Sequence, residues 1–203
     1  MKPFESLTSP VLLLRENRID TDIIYPARFL LIMQREGLGQ YFCADRRVDP
    51  EGNAIANPID EAKERGAGIL IAGREFGCGS SREQAVWTIK DFGITCVIAE
   101  SFGEIFQANC LRNGVLPIVF DPATVEELAT LGKDGELSVD LVARTVTAGE
   151  KVIDFEISDN ARERLLKGWD ETGMIQSRWG AAISTFEDGQ RAAQPWLYEP
   201  LAI

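Results

Sequence analysis

Gly73-Arg74-Glu75-Phe76-Gly77-Cys78-Gly79-Ser80-Ser81-Arg82-Glu83-Gln84 is the stretch on which the fold turns. Ile69-Leu70-Ile71-Ala72 leads into it as a short apolar run, and behind it Ala85, Ile89 and Phe92 recur at helical spacing. The pattern predicts a strand, a glycine turn and a helix start. Such a junction presents backbone N–H groups and the positive end of a helix dipole, so it favours an anion. Ser80 or Ser81 is expected to cap the helix, with Glu83 answering as in a capping box. Arg82 adds a planar fork suited to a carboxylate or a phosphate.

The same grammar repeats downstream. A strand is predicted over 95–99, and Ser101 caps a helix over 103–112 that Asn113-Gly114 closes. Residues 115–119 form a further strand, and Pro122 opens a helix over 122–131. Strands alternating with short helices indicate an α/β layer. Upstream, Val11–Leu14 reads as a buried strand. Asn17-Arg18-Ile19-Asp20-Thr21-Asp22 reads either as a polar turn or as an acidic site loop. Phe29–Met33 reads by periodicity as a core segment. Residues 44–60 form a surface loop, followed by a helix from 59 to 65. Beyond 137, Leu137, Val139 and Leu141, then Val152, Ile153 and Phe155, alternate about Gly149 as antiparallel strands do. From Asp159 the chain is helical over 161–167, 171–176 and 180–193. Pro195-Trp196-Leu197 is an aromatic tail that packs on the domain or contacts a partner. One domain is expected over 1–203, with an α/β core over 1–157 and a helical extension over 158–203.

Composition narrows the function. The 203 residues carry a net charge of −11, which argues against nucleic acid and anionic membranes as partners. A local arginine pocket can still hold a small anion. No apolar run is long enough to cross a bilayer, and the first residues lack a signal-peptide core. The four cysteines, Cys43, Cys78, Cys96 and Cys110, have neither disulfide-framework nor zinc spacing, so free thiols and a cytoplasmic setting are expected. The chain contains no histidine. A general base must then be a carboxylate, a perturbed Lys, Cys or Ser, or a partner's group.

Gly77-Cys78-Gly79-Ser80-Ser81-Arg82 is neither a dinucleotide fingerprint nor a P-loop, and a histidine-free chain cannot complete a serine triad alone. A glycine turn with a serine cap explains the spacing as a purely structural feature. Paired hydroxyls, N–H donors and a guanidinium together suit a carboxylate-bearing ligand. A serine here also serves as a base where N–H groups and the arginine stabilise its alkoxide. Asn109 and Asn113, one turn apart in the next dense stretch, fit a capped helix.

These motifs resemble those of a family. Ile19-Asp20-Thr21-Asp22-Ile23-Ile24-Tyr25-Pro26-Ala27-Arg28-Phe29-Leu30, Gly77-Cys78-Gly79-Ser80-Ser81-Arg82-Glu83, and Ser101-Phe102-Gly103-Glu104-Ile105-Phe106 through Asn113-Gly114-Val115-Leu116-Pro117-Ile118 are similar to the small subunits of isopropylmalate isomerases, relatives of the swivelling domain of aconitase. The resemblance spans nearly the whole chain. It implies a β/β/α three-layer swivelling domain with appended C-terminal helices. It implies a hydro-lyase of leucine biosynthesis that isomerises 2-isopropylmalate to 3-isopropylmalate by dehydration and rehydration. It also implies a separate large subunit, in a heterodimer or larger heteromer. That subunit carries a 4Fe–4S cluster whose open iron binds the substrate hydroxyl and carboxylate, while this chain closes over it and binds no cofactor or metal of its own.

The resemblance assigns Ser80 as the catalytic base, Arg82 as the substrate-carboxylate arginine and Ser81 as a supporting hydroxyl. Asp22 orients an arginine, and Arg28 and Gly79 support the site. Leu30 and Leu31 fall in the segment that sets specificity, where an apolar wall implies an alkyl group on a small dicarboxylate. Family members commonly read Ser-Arg-Glu-His-Ala-Pro-Trp-Ala where this chain has Ser81-Arg82-Glu83-Gln84-Ala85-Val86-Trp87-Thr88. Gln84 keeps open a related hydro-lyase acting on citramalate or dimethylmalate. A non-catalytic regulatory module on the same fold is a third reading, against which Ser80 and Arg82 argue.

Overall fold

The computed structural model describes residues 1–198. The chain divides into two compact units, Met1–Gly168 and Trp169–Ile203. The first is built on seven strands: β1 (Ser6–Leu14), β2 (Ile69–Ala72), β3 (Cys96–Ala99), β4 (Leu116–Val119), β5 (Glu136–Asp140), β6 (Thr145–Ala148) and β7 (Lys151–Asp154), in the order β4-β3-β2-β1-β5-β6-β7. β1 serves two halves of the sheet. Its residues Val11–Leu14 pair in parallel with β2, and Ser6–Pro10 pair antiparallel with β5.

The two halves share a core. Leu12, Leu14, Leu70, Ala72, Val97 and Ala99 face α2 (Pro58–Glu64), α3 (Glu83–Phe92) and α4 (Glu104–Asn113). The alternate residues, among them Val11, Ile69, Ile71, Ile98 and Ile118, pack with α5 (Pro122–Gly132) and with Leu137, Val139 and Val146 of the antiparallel half. The sheet therefore curls back on itself and gives the layering β/β/α. Burial on both faces explains why β2 and β3 read as unbroken apolar runs.

Leu14, Ala72, Ala99 and Val119 lie in register across the parallel strands. The loops after β1, β2 and β3 thus leave one carboxyl edge side by side, the place where open α/β sheets bind ligands. This register brings three separated sequence motifs together.

Several local expectations are corrected. The antiparallel half has three strands, because Arg144 takes a left-handed φ of 62° and turns the chain into β6. Ser101 does not cap α4. Gly103 holds the N-cap position with no side-chain bond, and the Ser101 hydroxyl instead accepts the Glu75 N–H at 2.9 Å. α6 (Asp159–Lys167) packs Ala161 and Leu165 into the first unit, which so runs to Gly168 rather than ending at 157. In the second unit, α7 (Glu171–Ala193) is one helix and not two, because no proline interrupts it before Pro195. Asp170 caps it by accepting the Gly173 N–H at 2.7 Å. Pro195–Leu197 forms a single 3-10 turn, and the Tyr198 hydroxyl donates to Gln190 at 2.7 Å.

Candidate active site

The glycine turn after β2 is shaped by its neighbours. Gly77 and Gly79 adopt φ of 71° and 93°, a region that favours glycine. A Cβ on Gly77 would lie 2.2 Å from Cγ of Phe106, so the turn can sit against α4 only without a side chain. The loop after β1 is laced to it. Gly77 N–H donates to Ile19 O at 2.8 Å, Thr21 N–H to Cys78 O at 2.9 Å, and the Thr21 hydroxyl to Ser80 O at 2.9 Å. The loop after β3 adds Phe76 N–H to Ser101 O at 3.0 Å and Gly103 N–H to Phe76 O at 2.9 Å. Thr21 is buried, so its hydroxyl supports the Ser80 backbone from behind.

The two aspartates of the first loop divide their work. Asp20 accepts the Ile23 N–H at 2.8 Å and caps α1 (Thr21–Ile24). Asp22 is thereby left for Arg82, with which it forms an ion pair. The Arg82 side chain is 13% exposed and that of Asp22 is 51% exposed, so the pair straddles the surface. Arg82 itself is the N-cap residue of α3, in extended backbone and without a side-chain cap bond. The expected serine cap is absent, because the Gly79 turn carries Ser80 and Ser81 outward. Both are exposed, and among the described residues neither hydroxyl has a hydrogen-bond partner. Glu83 does not answer a cap either. It accepts from Asn113 Nδ2 at 2.9 Å.

Thr21, Cys78, Gly79, Ser80 and Arg82 form one wall of a cleft of about 270 Å³, and Glu104, Ile105 and Asn109 of α4 form the other. Asn113 pins that second wall. It receives the Trp87 indole N–H at 3.0 Å and donates to Asn109 O at 2.9 Å as well as to Glu83. Of the residues singled out in the sequence, Gly79, Ser80 and Arg82 meet in the cleft, with Asp22 acting through Arg82. Ser81 lies exposed beside it. Leu30 packs partly into the core, Leu31 is 93% exposed, and Arg28 holds Asp45 with a two-pronged bond, one arm 3.0 Å, while stacking on Phe29. None of these three lines the cleft. Thr21, Glu104 and Ile105 were not picked out in the sequence. The only signal for Thr21 is its place between two aspartates.

An exposed hydroxyl, a half-buried guanidinium fixed by a carboxylate, and a helix start together suit a carboxylate-bearing substrate. The thiols differ in kind. Burial pushes Cys43 up to about 12, and burial likewise raises Cys96 and Cys110. Cys78 is partly exposed on the cleft wall. Among the described residues no group of three or more cysteine, aspartate or glutamate side chains could hold a metal ion.

Comparison with known proteins completes the description. Residues 1–123 match the Aconitase C-terminal domain family. The chain is 42% identical over 201 residues to the 3-isopropylmalate dehydratase small subunit of Caulobacter vibrioides, covering 97% of this chain and 99% of the relative. It is 40% identical over 200 residues to that of Pelagibacter ubique, covering 98% of each. The crystal structure of a 3-isopropylmalate dehydratase (leuD) from Methanocaldococcus jannaschii matches with a TM-score of 0.66 at 26% identity, covering 90% of this chain and 99% of that one.

Proposed function

The chain belongs to the 3-isopropylmalate dehydratase small-subunit family, and we propose that its Ser80–Arg82 cleft is one half of an active site completed by a large subunit. The activity is that of a hydro-lyase, converting 2-isopropylmalate to 3-isopropylmalate by loss and re-addition of water. The observation that carries the site assignment is the Asp22–Arg82 pair beside a solvent-facing Ser80, at the carboxyl edge of a parallel sheet.

Each residue then has a task. Arg82 takes a substrate carboxylate on its planar fork, held in aim by Asp22. Ser80 lies beside it to accept the proton from the carbon alpha to that carboxylate, and returns a proton in the rehydration step. The Thr21 hydroxyl, bonded to Ser80 O, fixes the backbone that carries the base. Ser81 supplies a second hydroxyl near the carboxylate, and Gly79 admits the substrate close to the backbone. Arg28 steadies the loop by pairing with Asp45. Exposed Leu31, with Leu30 beneath it, meets the substrate's alkyl group when the large subunit covers this surface.

The donor set of this chain does not fit a metal centre of its own. It has no histidine, and three of its four cysteines are buried apart from the cleft. The reading assigns a 4Fe–4S cluster to the large subunit, where it would supply a Lewis acid for the departing hydroxyl. No helix among the described residues is long and apolar enough to cross a membrane. The biosynthetic relatives support a cytoplasmic setting for the proposed heteromer. Citramalate or dimethylmalate is not favoured as substrate: the relatives carry the isopropylmalate name, and Gln84 does not line the cleft.

The test is reconstitution. The chain is purified with its large subunit, the cluster is assembled anaerobically, and alkene absorbance is followed with 2-isopropylmalate and with citramalate. Turnover of isopropylmalate is expected. Turnover of citramalate alone would move the chain to a different substrate, and turnover of neither would favour a regulatory module.

A further inference from the structure

A second cavity of about 410 Å³ borders the carboxyl-terminal half of α3, away from the Ser80 cleft. Lys2, Arg35 and Lys90 bring three cations to it, Trp87 forms a wall, and Glu36 and Asp91 are the acidic groups on its lining. Many arginines in this acidic chain are matched to carboxylates, as Arg46 is to Glu16 and Arg47 to Asp60, while Arg65 and Arg162 donate to backbone carbonyls. Lys2, Arg35 and Lys90 gather at one cavity. Among the described residues none of the three has a carboxylate within ion-pair distance.

The groups around them do not fill that role. Asp91 is engaged with the Gly39 N–H at 2.7 Å. The Arg35 guanidinium lies 4.5 Å over the Trp87 ring, and the Lys90 ammonium donates to the Asn113 carbonyl. Lys2, Arg35 and Lys90 line the same cavity, where desolvation first and then Arg35 and Lys2 lower the pKa of Lys90. Cations gathered against an aromatic wall in a half-enclosed space gain most from a ligand that carries more than one negative charge. The volume falls within the range of small-molecule sites.

We propose that this cavity binds a small dianion, a phosphate monoester or a dicarboxylate, between the Arg35 fork and the ammonium groups of Lys2 and Lys90. Trp87 backs the guanidinium and keeps it planar to the ligand. The cavity shares Asn113 with the clamp on the active-site wall, since Asn113 bonds Trp87, Lys90 and Glu83. An occupant is therefore placed to influence the start of α3, where Arg82 sits. This site goes beyond the proposed reaction and needs no large subunit.

The experiment uses the full chain, isotopically labelled, with inorganic phosphate and malonate as separate probes of the two ligand classes. The Trp87 indole N–H resonance is expected to shift saturably with at least one of them. Phosphate alone identifies a phosphoester site, malonate alone a dicarboxylate site, and both together a general dianion site. Combining Lys2→Gln with Arg35→Gln should weaken binding at least about tenfold, as loss of charge-assisted contacts does. Both side chains are exposed, so this variant keeps its fold, which unchanged backbone amide resonances of β1 to β7 report. Arg82→Gln should leave the Trp87 shift intact, separating this site from the Ser80 cleft. No saturable shift with either anion, or equal affinity in the double variant, overturns the proposal and leaves the reading of the active site untouched.

Discussion

Asp22→Asn should leave the fold nearly as stable while sharply reducing turnover. Breaking one side of a fully buried charge pair costs about 3–5 kcal/mol, whereas an exposed pair contributes about 0–1 kcal/mol. Here the Arg82 side chain is 13% exposed and the Asp22 side chain 51% exposed. With one partner half in water, the loss belongs near the lower figure, about 1 kcal/mol. For a chain of this size that is about 2–4 °C in Tm. Activity depends on aim rather than on energy stored in the pair. Without Asp22, Arg82 keeps among the described residues only a marginal 3.5 Å contact from Nη1 to the Tyr25 carbonyl. A guanidinium free to swing misplaces the substrate carboxylate, and kcat/KM is expected to fall about 10–100-fold, equivalent to about 1.4–2.7 kcal/mol. Thermal melting of the chain and steady-state alkene absorbance of the reconstituted heteromer measure the two effects. A variant within about twofold of wild-type kcat/KM would refute the orienting role. A drop in Tm beyond about 10 °C would show that the pair is chiefly structural.

Three further outcomes follow from the same geometry. Gly77→Ala combines left-handed strain of about 1–2 kcal/mol with overpacking against Phe106 of about 1–3 kcal/mol, so its urea midpoint should fall well below that of Gly149→Ala, which shares a left-handed φ but meets open space. Thr21→Val removes the hydroxyl beneath Ser80 O and should lower kcat while KM changes little, with Thr21→Ser restoring activity; equal losses in both variants would point to packing alone. At pH 8, iodoacetamide should label Cys78 alone, because burial keeps Cys43, Cys96 and Cys110 protonated far above that pH; peptide mass spectrometry showing early modification of any of the three would contradict their burial.

The sequence makes the strand–turn–helix grammar legible because β2 and β3 are buried on both faces and so carry unbroken apolar runs. Gly77 and Gly79 are legible because both take a left-handed φ, and Gly77 is in addition pressed on the Phe106 ring, which admits little else. Caps were harder to place. Ser80, Ser81 and Ser101 have the right chemistry for helix starts, but the tertiary loops claim their backbone or turn them to solvent. The continuity of α7 was obscured by Gly180, which weakens the helical pattern without ending it. Thr21 and the α4 wall of the cleft depend on the register of β1, β2 and β3, a long-range fact that no local window contains. In the proposed function the half of the site that a large subunit supplies is not encoded in this chain, whose own contribution would be the exposed hydroxyl of Ser80.

Turnover of 2-isopropylmalate by a heteromer carrying Ser80→Ala tests the central claim most directly. Ser80 is exposed and its side chain makes no bond among the described residues, so the variant should fold and assemble with the large subunit as the wild type does on gel filtration. Alkene absorbance should then show activity reduced to background. Full assembly with turnover retained would contradict the assignment of Ser80 as the base.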